Sequence, residues 1–86
     1  MPVISSFYGI DIKLYFRDRF PPHFHAFYGE FSAEVAILDL KVLAGGLPRR
    51  AMVLVHEWAE SHRPELLAEW EKAWKGVHPS RIDPLP

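Results

Sequence analysis

The sequence predicts an α+β fold: a four- to five-stranded, mostly antiparallel sheet from the N-terminal half, covered by two C-terminal helices. Three observations carry that expectation. Aromatic residues crowd the first half, nine of the twelve falling between Phe7 and Phe31, where strand surfaces favour them. Apolar residues alternate with period two over that region. After Gly45-Gly46 the period changes to that of an amphipathic helix.

The strand signal is clearest over residues 10–17. Ile10, Ile12, Leu14 and Phe16 alternate with Asp11, Lys13, Tyr15 and Arg17, as in a half-buried strand. Residues 3–8 form a strand that pairs with it, with Gly9 at the turn. Pro21-Pro22 interrupts the pattern, because two prolines cannot sit in a central strand. A third strand follows over 23–29, with Phe24, Ala26 and Tyr28 as its core face and His23, His25 and Phe27 opposite. Gly29-Glu30 reads as a tight turn into a fourth strand over 31–38, where Phe31, Ala33, Val35 and Ile37 alternate with Ser32, Glu34, Ala36 and Leu38. Residues 40–43 allow a short fifth strand.

Pro48 suits the first turn of a helix. Ala51, Leu54, Val55, Trp58, Ala59 and His62 trace one apolar stripe over 48–62. Pro64 ends that helix and opens a second over 64–75, with its stripe on Leu66, Leu67, Trp70, Ala73 and Trp74 and with Gly76 as its stop. The tail, 77–86, is extended, with Ile82 and Leu85 available for docking.

Bulk properties bound the function. Eighty-six residues suffice for a single domain, 1–86. A domain of this size buries only ~60% of the surface its unfolded chain exposes, so a homodimer or a partner chain would add useful burial. Apolar residues are 49% and charged residues 24% of the chain, with a net charge of −1. Nucleic acid would therefore need a local basic patch, since no basic excess exists. The chain contains no cysteine, which excludes disulfides, thiolate metal sites and a cysteine nucleophile. No segment approaches the ~20 apolar residues of a membrane helix, and the first residues lack a basic, apolar leader pattern. A cytoplasmic location without membrane attachment is the resulting expectation.

His23 and His25, two residues apart on a strand, share a face. They admit three readings. They can serve as general acid and base around a phosphate ester, with Asp18 orienting one imidazole. They can ligate a divalent metal, which requires a third ligand from Asp18, His56 or His62; otherwise no cofactor is expected. Or they simply hydrogen-bond locally after the Pro21-Pro22 corner. Lys13 and Arg17 are the nearest cations for a phosphate.

Arg49 and Arg50 open a helix, where the macrodipole disfavours cations by ~0.3–1 kcal/mol each. A bound anion, such as phosphate or an acidic partner surface, would reverse that sign, as would local pairing with Asp or Glu. His62 on the apolar stripe reads as a satisfied core residue. His56-Glu57 lacks the second histidine of a metalloprotease helix, because residue 60 is glutamate. The glutamates from Glu57 to Glu71 read as solvated helix faces.

Several segments occur in an order that resembles a known family: Pro2-Val3-Ile4-Ser5-Ser6-Phe7-Tyr8-Gly9-Ile10, Pro21-Pro22-His23-Phe24-His25-Ala26, Gly29-Glu30, Leu47-Pro48-Arg49-Arg50-Ala51, Glu57-Trp58 and His62-Arg63-Pro64-Glu65-Leu66-Leu67. Together they resemble the bacterial "domain of unknown function 4160" family over nearly the whole chain. The resemblance implies a component of a toxin–antitoxin-type pair, with a small protein encoded by a neighbouring gene as its partner. It carries over no catalytic residues. Three functions stay open: a toxin-like activity on RNA or another phosphate ester, a non-catalytic protein-interaction partner, and a divalent-metal-binding domain.

Overall fold

A computed structural model describes residues 2–86; Met1 lies outside the described residues. Strands β1 (Val3–Phe7), β2 (Ile10–Lys13), β3 (His23–Tyr28), β4 (Phe31–Ala36) and β5 (Val42–Gly46) precede helices α1 (Arg49–Ser61) and α2 (Arg63–Trp74). The five strands form one antiparallel sheet in chain order, β1-β2-β3-β4-β5. This meander follows from the turns. Tyr8 and Gly9 both take positive φ, +50° and +80°, which a two-residue hairpin needs if its twist is to match the strands. Phe7 and Ile10 pair directly across it. Gly29, at φ +57°, starts the turn that pairs Tyr28 with Phe31.

The alternating pattern decides what the helices cover. Ile4, Ile10, Ile12, Phe24, Ala26, Ala33 and Val35 are buried against Ala51, Val55, Trp58 and Ala59 of α1 and Leu66, Trp70 and Ala73 of α2. Trp58 is fully buried and tilts against Phe7, with ring centres 5.3 Å apart. Of the expected core face of β3, Phe24 and Ala26 are fully buried, whereas Tyr28 is exposed at the strand's end and His23, on the opposite face, is buried.

The tail docks along the outer edge of β1. Ile82 is buried and its N–H donates to Ile4 O at 2.7 Å. Trp58 Nε1–H donates to Asp83 O at 2.8 Å, and Tyr8 O–H to Pro86 O at 2.6 Å.

Some boundaries differ from the sequence reading. The strand expected over 10–17 ends at Lys13. Leu14 stays buried, but Arg17 takes φ +50° and the chain leaves the sheet. Residues 14–22 thus form a loop that folds back over the start of β3. The third and fourth strands end at Tyr28 and Ala36, short of residues 29 and 38. The fifth strand runs Val42–Gly46 rather than 40–43. Leu40, at φ +60°, completes the turn before it, and Gly45-Gly46 belongs to the strand instead of ending it.

Candidate metal centre

β3 starts at His23, so His23 and His25 project from the side opposite Phe24 and Ala26. The 14–22 loop closes over them. His23 is 1% exposed, and its ring lies 5.3 Å from that of Trp70. His25 is stacked on Tyr15, with ring centres 4.2 Å apart and planes within 16°. The loop also delivers Asp18 between the two imidazoles.

Asp18 Oδ2 stands 3.0 Å from His23 Nε2 and 3.1 Å from His25 Nε2. The two contacts are not equivalent. His25 Nε2–H donates to the carboxylate. His23 Nε2 is buried and has no hydrogen-bond partner among the described residues, despite its nearness to Asp18. On the other side of that ring, Nδ1–H donates to Pro21 O at 2.8 Å. A carbonyl only accepts, so it fixes Nδ1 as the protonated nitrogen. Nε2 lies 3.0 Å from Asp18 Oδ2, but the carboxylate stands off the direction in which that nitrogen points.

Burial acts to raise the Asp18 carboxyl. It is outweighed by the hydrogen bond from His25, the backbone N–H of Arg19 and the charges of His23 and His25, which hold the group below its ordinary 3.8. Asp18 is thus an anion over the neutral range. One donor atom from each of Asp18, His23 and His25 lies within 4.8 Å of the others, a grouping that can hold a metal ion.

Two further charged groups border the cluster. Glu34 lies opposite His25 on β4, and its Oε1 is 3.7 Å from His23 Nε2. Arg19 Nη2 donates to the same Oε1 at 2.6 Å, while its Nη1 is 3.8 Å from Asp18 Oδ1. His25 and Glu34 also line a recess of about 80 Å³ with Ser32, Ala33, Ala44 and Gly45. The sequence reading missed Glu34 and Arg19. Glu34 had a signal: counting back through the Gly29-Glu30 turn pairs His25 with Glu34, and both point to the non-core face. Arg19 had none, because its position depends on the course of the loop.

The other sequence candidates lie elsewhere. Lys13 is paired in register with His25, but its ammonium sits over the Phe27 ring, 4.6 Å from the centre. Arg17 directs its guanidinium to Gly76, just past the end of α2, where the helix dipole favours a cation. Arg49 and Arg50 open α1, which has no side-chain cap and no acid in its first turn. Arg50 borders a cavity of about 210 Å³ with Tyr8 and Tyr28, at the Tyr28 end of β3 and away from His23. His56 is exposed on α1. His62 joins α1 to α2, pairs with Glu65 and packs on Trp58. Of the three third-ligand candidates, the fold brings only Asp18 to the paired histidines.

No curated protein and no solved structure matches the chain. Residues 9–71 match the family described as Domain of unknown function (DUF4160). That span contains the 14–22 loop, both histidines, Glu34 and all of α1. It covers well over half of the 86 residues, and the chain belongs to the DUF4160 family.

Proposed function

We propose that this protein is a divalent-metal-binding domain, with Asp18, His23 and His25 as ligands. One observation carries the reading: a buried His23 Nε2 without a hydrogen-bond partner among the described residues lies 3.0 Å from the Asp18 oxygen that also meets His25 Nε2. A cation held jointly by these donors satisfies all three. The metal accounts for more. The Pro21 carbonyl holds the remote ring N–H of His23, as an outer partner does for a ligating imidazole. Ligand bonds of ~2.0–2.2 Å at angles between a right angle and the tetrahedral one place neighbouring donors ~3–3.5 Å apart. The observed separations from Asp18 Oδ2 are 3.0 and 3.1 Å. Two imidazoles and a carboxylate suit zinc, iron(II), nickel or copper rather than calcium or magnesium.

Acid–base chemistry on RNA or another phosphate ester, the toxin-like reading, has less support. His23 is closed to solvent, Arg17 is engaged at the end of α2, and Arg49 and Arg50 stand at the far end of β3. Growth arrest on inducing a parent chain that takes up no metal, absent from a His23→Ala, His25→Ala variant, would restore weight to it.

The test is calorimetric titration of chelator-stripped protein with Zn²⁺, Ni²⁺ and Co²⁺. One ion per chain is expected, with a rise in thermal midpoint through linkage. Asp18→Ala and His25→Ala are each expected to weaken binding at least ~100-fold, beyond the range for losing an outer partner. A folded parent chain that takes up none of these ions rules the reading out.

A further inference from the structure

We infer that Glu34 is a fourth protein ligand of this centre, and that Arg19 is a resident counter-ion which holds the acidic groups until a metal displaces it. The inference rests on the metal-binding reading above and extends it to two residues outside the Asp18–His23–His25 group.

The argument begins with register. Glu34 is fixed opposite His25 by the β3–β4 ladder, so its carboxylate originates from a rigid strand rather than from a loop. Its Oε1 lies 3.7 Å from His23 Nε2, the nitrogen that lacks a partner. Asp18 and Glu34 therefore approach the same nitrogen from two elements. Glu34 lies outside the 4.8 Å grouping of Asp18, His23 and His25, so its side chain moves inward to complete a set of two nitrogens and two oxygens, enough for four-coordinate zinc or cobalt.

Charge explains Arg19. Asp18 and Glu34 both border His23 Nε2, and two carboxylates about one nitrogen repel unless a cation offsets them. The Arg19 guanidinium spans them, 2.6 Å from Glu34 and 3.8 Å from Asp18. Its side chain is 66% exposed, whereas those of Asp18 and Glu34 are 13% and 21% exposed. An exposed arginine leaves an ion pair at little cost, but the two acids cannot leave. The anchored acids are thus the site, and the mobile cation is the part that exchanges. A divalent ion entering among the four donors carries twice the charge of the guanidinium and sends Arg19 into solvent.

The centre then ties together the 14–22 loop through Asp18, β3 through both histidines and β4 through Glu34. Metal would cross-link a loop of irregular backbone to the central hairpin of the sheet.

Chelator-stripped parent, Glu34→Gln, Glu34→Asp and Arg19→Gln proteins are titrated with Co²⁺, reading affinity and visible absorption, after circular dichroism confirms that each is folded. The expected results are one Co²⁺ per parent chain with the intense absorption of four-coordinate cobalt, a loss of affinity of about tenfold or more with altered absorption in Glu34→Gln, and a gain of about threefold in Arg19→Gln, the size of a released surface ion pair. Glu34→Asp keeps the charge on a shorter arm and is expected to bind between the parent and Glu34→Gln. If both Glu34 variants match the parent in affinity and absorption, Glu34 is not a ligand, although the three-residue centre stands. Weaker binding by Arg19→Gln overturns the counter-ion role. A parent chain that binds no Co²⁺ overturns this inference together with the reading on which it rests.

Discussion

Asp18 Oδ2 and His23 Nε2 are 3.0 Å apart, yet no hydrogen bond joins them. The carboxylate stands off the direction in which Nε2 points, while on the far side of the imidazole Nδ1–H donates to Pro21 O. This relationship gives a spectroscopic prediction. In nitrogen-15 spectra, His23 is expected to keep Nδ1–H with and without Zn²⁺, while the Nε2 resonance moves on metal addition. A metal-bound His23 that carries its proton on Nε2 is incompatible with the proposed centre.

Acid should unlock the loop. The Asp18 carboxyl is held below its ordinary 3.8, through His25, Arg19 and the histidine charges acting against burial. A carboxyl depressed in the folded state contributes stability above its unfolded value, and that contribution fades as pH falls through the folded value. Urea unfolding of metal-free protein between pH 2 and 6 is therefore expected to show falling stability below about pH 4. The curve for Asp18→Asn should be flatter across that window. Parallel curves for the two proteins would mean that the Asp18 contacts contribute nothing to folding.

Tyr15 is a positioning residue. Its ring stacks on His25 at 4.2 Å, and so fixes the direction of Nε2 without touching a ligand atom. Tyr15→Phe should leave metal affinity unchanged, because the stack survives. Tyr15→Leu should weaken it by about 10- to 100-fold, the range typical of lost outer support. Equal affinities for Phe and Leu would reduce Tyr15 to a filler of space.

Two glycines test the hairpins. Gly45 takes φ +68°, and a Cβ built there would collide with Ser32 O on the neighbouring strand. Gly29 takes φ +57° with nothing within 4 Å of such an atom. Gly29→Ala should cost about 1–2 kcal/mol, the steric penalty of the left-handed backbone alone. Gly45→Ala should cost more, since β4 or β5 must also shift, with faster amide exchange expected along β5. Chemical denaturation ranks the pair, and a smaller cost at Gly45 would contradict the close β4–β5 approach.

The sheet, both helices and the core face of β3 are readable from periodicity, because burial imposes period two on strands and 3.6 on helices. Hydrogen bonding is less visible. Leu14 continues the alternation of β2 because it is buried, although the ladder has stopped at Lys13. Gly45-Gly46 looks like a break because glycine usually is one, yet β5 needs a residue without a side chain beside Ser32 O. At the site, the His23–His25 pair is local and legible, and Glu34 follows from turn arithmetic. Asp18 was only one of three third-ligand candidates, since nothing short-range records how the 14–22 loop folds back. Arg17 reads as a phosphate cation from its place beside the histidine strand, and Arg49-Arg50 from theirs in a helix's first turn, but the course of the backbone separates them from the histidines.

The docked tail has a kinetic consequence. The sheet is a ladder of neighbouring hairpins, each closing over a short stretch of chain. The contacts of Tyr8 with Pro86 and of Val3 with Arg81 instead join residues 78 apart, and Ile82 with Ile4 spans the same distance. Closing so long a loop carries a larger entropic cost than any hairpin here, and non-local contacts slow folding. β1 is thus the last strand to gain its full set of partners. Until the tail docks, β1 carries a bare edge, and the folding chain is exposed to mispairing there.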